Sequence, residues 1–123
     1  MSNLWLEQLT SYQISKDLSS IIYKLVKDWA YIDKQTVGTQ IIRSADSVAA
    51  NIAEGFGRYH KLDKIKFYYN ARASVIETEH WLNTAKERNL LKEKDYVKAI
   101  SLSEKLPKEI NLLIKLTSNN LKR

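Results

Sequence analysis

The chain has 123 residues, of which 44% are hydrophobic and 28% are charged, a composition typical of one globular domain rather than a disordered segment. It contains 3 Gly, 1 Pro and no Cys, which leaves few residues for the turns of an all-β fold and excludes disulfides, thiolate zinc sites and Cys nucleophiles. Lys and Arg number 20 against 14 Asp and Glu, and the net charge of +6 favours anionic partners.

Apolar residues recur at three-to-four spacing in four segments, and no segment of comparable length alternates as a strand does. The first predicted helix spans 12–29. The second spans 36–57, with Thr36 as its N-cap and Gly55 and Gly57 at its end. The third spans 63–88 and stops at Asn89, a residue that tolerates the left-handed conformation, and the fourth spans 93–118. Short links require antiparallel neighbours, so we expect an all-α fold, an up-down-up-down antiparallel four-helix bundle forming one domain over residues 1–123.

Nothing in the sequence directs the chain to a membrane. The longest stretches without a charged residue, 8–15 and 35–42, are far shorter than the roughly 20 apolar residues that a membrane span requires. Residues 1–9 have neither a basic leader nor an apolar signal core. We therefore expect a cytoplasmic protein without a membrane partner.

The residue types that carry catalysis are sparse. His60 and His80 are the two histidines, and neither lies in a His-Glu-x-x-His pattern. A di-metal bundle needs Glu-x-x-His on two helices, whereas Glu77-x-x-His80 occurs once and helix geometry points His80 outward. Ser44 and Ser47 have no base nearby in the sequence. We expect no enzyme activity, no catalytic residue, no metal site and no cofactor; a metalloenzyme would require Glu77 and His80 to face inward.

Two outward helix faces have an unusual composition for surfaces in water. No lysine occurs between Gln35 and His60, and the outward side of the second helix carries small or paired polar residues. The third helix presents an apolar and aromatic strip to the outside. These faces predict a homo-oligomer, and the alternative is a monomer with isolated surface apolar residues. The predicted interface consists of Ser47, Ala50, Asn51, Glu54, Tyr69, Ala73, Ile76 and His80.

Positive charge is concentrated where the second helix meets the third. We call Arg58, Lys61, Lys64, Lys66 and Arg72 the basic segment, and it is interleaved with Tyr59, His60, Tyr68 and Tyr69. Cations mixed with aromatic rings suit phosphate neutralisation together with base stacking. The simpler interpretation is a solvated helix surface. Lysines in residues 92–123 alternate with acids and indicate such a surface.

The second helix also carries a family motif: Gln40-Ile41-Ile42-Arg43-Ser44-Ala45, then Ser47, Asn51-Ile52-Ala53-Glu54-Gly55 and Gly57-Arg58. Lys66-Phe67-Tyr68, Ala71, Ser74 and Glu77-Thr78-Glu79 follow on the third helix. The motif resembles the bacterial four-helix bundle proteins encoded by intervening sequences in 23S rRNA genes. That likeness covers about Tyr12 to Thr117 and extends to the accessory variability protein of diversity-generating retroelements.

The resemblance implies a ring-like homopentamer without catalytic activity and with an RNA connection. In the retroelement protein, a basic barrel associates with nucleic acid and a reverse transcriptase. Arg43, Asn51, Glu54 and Arg58 match the family motif by position. For Asn51 and Glu54 we expect a structural role, and Arg43 and Arg58 suit either subunit contacts or phosphates.

Two hypotheses of different kinds follow. The first is a non-enzymatic oligomer that binds nucleic acid, in particular RNA, through the basic segment and Arg43. The second is a protein-interaction scaffold whose basic residues contact acidic protein surfaces.

Overall fold

The computed structural model describes residues 5–120. Within that range four long helices carry the fold, and no residue of the range lies in a strand. This confirms the predicted all-α class. The helices are α1 (Thr10–Val26), α2 (Thr39–Gly57), α3 (Lys61–Glu87) and α4 (Glu93–Asn120), and a short 3-10 helix, Leu6–Gln8, precedes α1.

The helical structure that leads into α2 begins earlier than the sequence predicts. Tyr31–Asp33 form one α-helical turn, Lys34–Gly38 form a π-helical turn, and α2 follows without a break. Thr36 is inside this helical run, where its hydroxyl donates to the Ile32 carbonyl oxygen at 2.8 Å. The prediction that Thr36 is an N-cap is therefore wrong. Tyr31 and Ile32 are exposed, so no buried stripe marks this turn in the sequence.

The end of α3 is a complete C-terminal capping motif. Asn89 has a φ of 60°, in the left-handed region that the sequence predicts for this residue. The Leu90 N–H donates to the Ala85 carbonyl at 2.9 Å, and the Asn89 N–H donates to the Lys86 carbonyl at 3.0 Å. These two bonds form a Schellman motif, which ends the helix and turns the chain toward α4.

All four helices contribute to one apolar interior. Fully buried side chains come from each of them and make a continuous cluster that includes Leu18, Ile22, Ile41, Val48, Ile52, Val75, Leu82, Leu106 and Ile110. The α2 and α3 surfaces also bury a polar pair, because the Thr78 hydroxyl donates to Ser44 Oγ at 3.1 Å and Ser44 donates to the Ile41 carbonyl at 3.2 Å. Among residues 5–120, every fully buried side-chain polar atom has a hydrogen-bond partner.

Contacts between neighbouring helices define which surfaces lie side by side. Arg43 near the start of α2 contacts Glu77 on α3, whereas Gly55 near the end of α2 lies against Tyr68. On the other side of α3, the Arg72 guanidinium donates to Asn111 of α4. The α2–α3 turn is thus placed beside the C-terminal half of α4.

Candidate nucleic-acid interface

The basic segment surrounds the turn between α2 and α3. Arg58 closes α2, because its N–H donates to the Gly55 carbonyl at 3.2 Å, and its extended backbone leads the chain away from the helix. Its guanidinium contacts Glu54 Oε2 at 2.8 Å and lies 4.7 Å from the centre of the Phe67 ring. Half of the Arg58 side chain remains accessible, so it can still receive a phosphate.

Lys64 stabilises the α2–α3 turn by binding backbone carbonyls at the end of α2. Its ammonium donates to the Phe56 carbonyl at 2.7 Å and to the Gly55 carbonyl at 3.4 Å, and it lies 5.7 Å from the centre of the Phe56 ring. These carbonyls belong to the last turn of α2, where a helix leaves acceptors unsatisfied and favours a cation. Burial lowers the pKa of Lys64 from the ordinary value of 10.5. The Lys64 ammonium is directed at the protein backbone rather than at solvent.

The remaining members of the segment lie on two sides of α3. Lys61 reaches toward α4 and donates to the Ser118 carbonyl at 3.3 Å. Arg72 also faces α4, donating to Asn111 Oδ1 at 2.5 Å while its guanidinium lies 4.6 Å from the centre of the Tyr69 ring. Lys66 is exposed and contacts no acceptor within residues 5–120. The structure therefore brings Arg58, Lys61, Lys64 and Lys66 together at the turn, with Arg72 next to them on the α4 side.

Arg43 is not part of this cluster. It lies 15 positions before Arg58 on the same helical run, which corresponds to roughly 22 Å along the axis. Its guanidinium contacts Glu77 Oε2 at 2.6 Å and Gln40 Oε1 at 3.0 Å. Trp81 Nε1 donates to the same Glu77 oxygen at 3.3 Å. Arg43 thus joins α2 to α3 in the other half of the molecule.

The aromatic residues near the turn differ in what they can contact. Tyr59 is 72% exposed and Tyr69 is 46% exposed, so both rings are accessible to a ligand. Tyr68 is 1% exposed and belongs to the core, where its hydroxyl contacts Thr117. The prediction that Tyr68 belongs to a base-stacking surface is therefore wrong. One helical residue separates its direction from that of Tyr69 by about 100°, enough to turn it inward.

The residues predicted as an oligomer interface all reach the surface of the chain. Ala50, Glu54, Tyr69, Ala73, Ile76 and His80 are exposed, and Ser47 and Asn51 are half-buried. Ile76, at 65% exposure, is an aliphatic side chain surrounded by solvent on a single chain. Ser47 donates to the Arg43 carbonyl and Asn51 donates to the Ser47 carbonyl, both at 2.8 Å, so these polar groups are satisfied along α2 itself.

Two further classes of site are not formed by the described residues. Over 5–120, no three His, Asp or Glu side chains converge in a way that could hold a metal ion. His80 is exposed, and its ring lies edge-on to Trp81 with centroids 4.7 Å apart. In the same part of the chain, no helix combines the length and apolarity that crossing a bilayer requires.

The structure also assembles a cleft that the sequence patterns do not reveal. It lies between α1 and the start of α2 and is lined by Tyr23, Lys27 and Lys34 among others. The spacing of Tyr23 and Lys27 places both on one helix face, but Lys34 joins them only through the π-helical turn. The sequence carried a signal for the first pair and none for the third residue.

Comparison with known proteins places this architecture. The family model described as 23S rRNA-intervening sequence protein matches residues 7–112. A solved structure from Bacteroides thetaiotaomicron, a protein of unknown function from the S23 ribosomal protein family, is similar with a TM-score of 0.78 and 25% identity. That similarity covers 85% of this chain and 95% of the other. No curated protein matches. Because the family model spans most of the chain, including the α2 motif and the α2–α3 turn, the protein belongs to the 23S rRNA-intervening sequence protein family.

Proposed function

We propose that this protein is a non-enzymatic, cytoplasmic RNA-binding oligomer that holds phosphates at the basic segment. The observation that carries the proposal is the charge at the α2–α3 turn. Residues 58–66 contain four cations and a single acid, Asp63, beside the exposed ring of Tyr59. Cations that neutralise phosphates, together with an aromatic ring on which a base stacks, bind RNA with little dependence on sequence.

The side-chain contacts show which cations of this surface are available to a phosphate and which are bonded to the protein. The Lys66 ammonium is exposed, the Lys61 ammonium keeps donors beyond its bond to the Ser118 carbonyl, and Arg58 keeps donors beyond its contact with Glu54. Lys64 stabilises the turn rather than contacting phosphate, because its ammonium caps α2. Arg72 is held by Asn111 and extends the positive surface toward α4. We therefore expect Arg58, Lys61 and Lys66 to make the principal phosphate contacts.

The proposal includes self-association. We take the chain to be an up-down-up-down bundle whose α2 and α3 faces are covered by further copies. Association would bury Tyr69 and Ile76, and removing such exposed apolar side chains from water favours it. The family resemblance suggests a ring of five. Repetition of the basic segment around such a ring would raise the affinity for a polyanion well above that of one copy, because later contacts become intramolecular.

The decisive experiment measures RNA binding at several salt concentrations for the wild type and for Lys61→Glu/Lys66→Glu. We expect the RNA affinity of the wild type to fall steeply with salt. The variant should bind RNA at least about tenfold more weakly, and its plot of log affinity against log salt should be shallower by about 0.7 for each lost phosphate contact. The loss should be the same for unrelated single-stranded sequences.

A control with the same charge change separates this surface from general electrostatics. Lys94 and Lys98 are exposed on the N-terminal half of α4, whereas the turn lies beside its C-terminal half, and Lys94→Glu/Lys98→Glu should lose much less affinity. Equal losses in both variants would contradict the assignment. Absence of RNA binding, with a protein partner retained after nuclease treatment, would favour the protein-scaffold alternative.

A further inference from the structure

A second candidate site lies in the half of the molecule away from the basic segment. The C-terminal half of α1 and the start of α2 enclose an open cleft of about 610 Å³. This volume lies within the roughly 300–1,000 Å³ that small-molecule sites occupy. The cleft is near Thr39, where α2 begins, whereas the basic segment is near Gly57, where α2 ends.

The cleft owes its form to the π-helical turn before α2. Lys34 begins this turn, and its carbonyl accepts hydrogen bonds from both the N–H and the hydroxyl of Thr39. Gly38 ends the turn in close contact with α1, since a Cβ at this position would lie 2.8 Å from Val26 Cγ1. A wide turn of this type frequently occurs at functional sites. Here it places Lys34 beside the α1 residues Tyr23 and Lys27.

The lining combines an apolar floor with positive charge. Val26 is buried and Ile42 is half-buried, both packed as part of the interior, and Tyr23 forms a wall with 59% of its surface exposed. Lys27, Lys34 and Arg43 supply three cations, and none of the acidic residues within 5–120 lines the cleft.

The two lysines are available to a ligand. Arg43 is already engaged by Glu77 and Gln40. Lys27 and Lys34 make no side-chain hydrogen bond or ion pair within residues 5–120. A ligand that satisfies this cleft therefore has a flat apolar body for Tyr23 and the floor, and an anionic group for the two ammonium groups.

We propose that the cleft binds one nucleoside monophosphate unit, with the base against Tyr23 and the phosphate between Lys27 and Lys34. An accessible aromatic ring beside cations is the arrangement that stacks a single base and holds its phosphate. An aliphatic anion would gain less, because the described part of the chain contributes just Val26 and Ile42 as aliphatic side chains to the floor and the cleft is open. The unit can come from a free nucleotide or from an unpaired position in RNA. This inference goes beyond the proposed RNA surface and does not depend on it.

The test titrates the full-length protein with AMP, UMP, inorganic phosphate and hexanoate, with binding followed by calorimetry and by NMR chemical shifts. We expect saturable binding of the nucleotides. Tyr23→Ala should weaken binding at least about fivefold, and Lys27→Glu/Lys34→Glu at least about tenfold. Tyr23→Phe, which keeps the ring, should bind like the wild type. Lys105→Glu/Lys108→Glu should also bind like the wild type.

Several outcomes would overturn the proposal. Inorganic phosphate or hexanoate binding as tightly as AMP would show that no base is recognised. Equal nucleotide affinity in the wild type and in Lys27→Glu/Lys34→Glu would exclude the cleft, provided that circular dichroism shows both proteins folded. No saturation by either nucleotide at millimolar concentration would exclude the ligand class.

A short single-stranded RNA distinguishes the two sources. If Lys27→Glu/Lys34→Glu weakens RNA and AMP binding by similar factors, the unit is taken from RNA. If only AMP binding is lost, the ligand is a free nucleotide. Lys61→Glu/Lys66→Glu should bind AMP normally, so failure of the proposed RNA surface and failure of this cleft are separate results.

Discussion

The ring of Tyr68 lies so close to the backbone of Gly55 that a Cβ at Gly55 would be 2.6 Å from Tyr68 Cε1. Lys64 completes this contact, because its carbonyl oxygen would lie 3.0 Å from the same Cβ and its ammonium bonds the Gly55 carbonyl. The end of α2 and the start of α3 are therefore joined by an aromatic ring, a glycine and a cation. This contact determines where the basic segment sits on the molecule.

The first prediction concerns Gly55. Gly55→Ala should lower the free energy of unfolding by about 1–3 kcal/mol, because the buried Tyr68 ring must move to admit the methyl group. The measurement is denaturant unfolding followed by circular dichroism. Gly57→Ala is the matched control, since a Cβ there meets nothing within 4 Å. It should be neutral or stabilise by up to about 1 kcal/mol. Equal effects of both substitutions would contradict the close contact.

The second prediction concerns stability at high pH. Burial raises the pKa of Tyr68 to about 12, above the value of 10.0 expected in the unfolded chain. Between these values the unfolded state releases the proton and the folded state keeps it, so the free energy of unfolding falls as the pH rises. Tyr68→Phe removes this contribution of up to about 1.4 kcal/mol per pH unit and should show a shallower decline from pH 10 to 12.

Tyr69→Phe provides the control, because Tyr69 is partly exposed on the same helix. Its unfolding free energy should decline with pH as in the wild type. The lowered pKa of Lys64 makes the free energy of unfolding rise with pH, which is the opposite direction. This contribution is the same in all three proteins and cancels in the comparison. Parallel curves for Tyr68→Phe and the wild type would refute the assignment.

The third prediction tests self-association. Ile76→Asp should shift the protein from oligomer to protomer, because it places a charge at the centre of the apolar α3 face. Sedimentation velocity at micromolar concentration measures the change. Val97→Asp alters another exposed aliphatic residue, on α4, and should leave the oligomer intact. Sedimentation of the wild type as a protomer would contradict the predicted interface.

The fourth prediction distinguishes the roles of Lys64 and Lys66, two of the lysines of α3. Lys64→Met keeps an apolar side chain of similar length but loses the ammonium, and should destabilise the fold by about 1–2 kcal/mol because two helix-end carbonyls lose a charged donor. Lys66→Met should leave stability unchanged and weaken RNA binding. Thermal unfolding and RNA titration of both variants measure the contrast. The opposite pattern would assign the phosphate contact to Lys64.

Periodicity was sufficient for the all-α class because it records burial directly. The α2 residues Ile41, Ala45, Val48 and Ile52 recur at the three-to-four spacing that predicted this helix, and all four are fully buried. The motif around Arg43 and Glu54 was likewise enough to identify the family, since it depends on residue types in order and not on their contacts.

Contacts between helices could not be predicted from residue spacing or from the family motif. Lys64 and Lys66 are equivalent in a charge count, yet one caps α2 and the other faces water. Tyr68 and Tyr69 are adjacent in the chain, yet one is core and one is surface. The helical turn that precedes α2 was missed because its residues Tyr31 and Ile32 are exposed and carry no buried stripe.

The sequence alone therefore determined the class of fold, the family and the region of highest positive charge, because each of these is a property of residue order. Tertiary structure alone decided which cations are directed at the backbone, which rings can be reached and how Lys34 comes to lie beside Tyr23. These depend on the distance between helices, and Gly38 and Gly55 set that distance where a single methyl group would alter it.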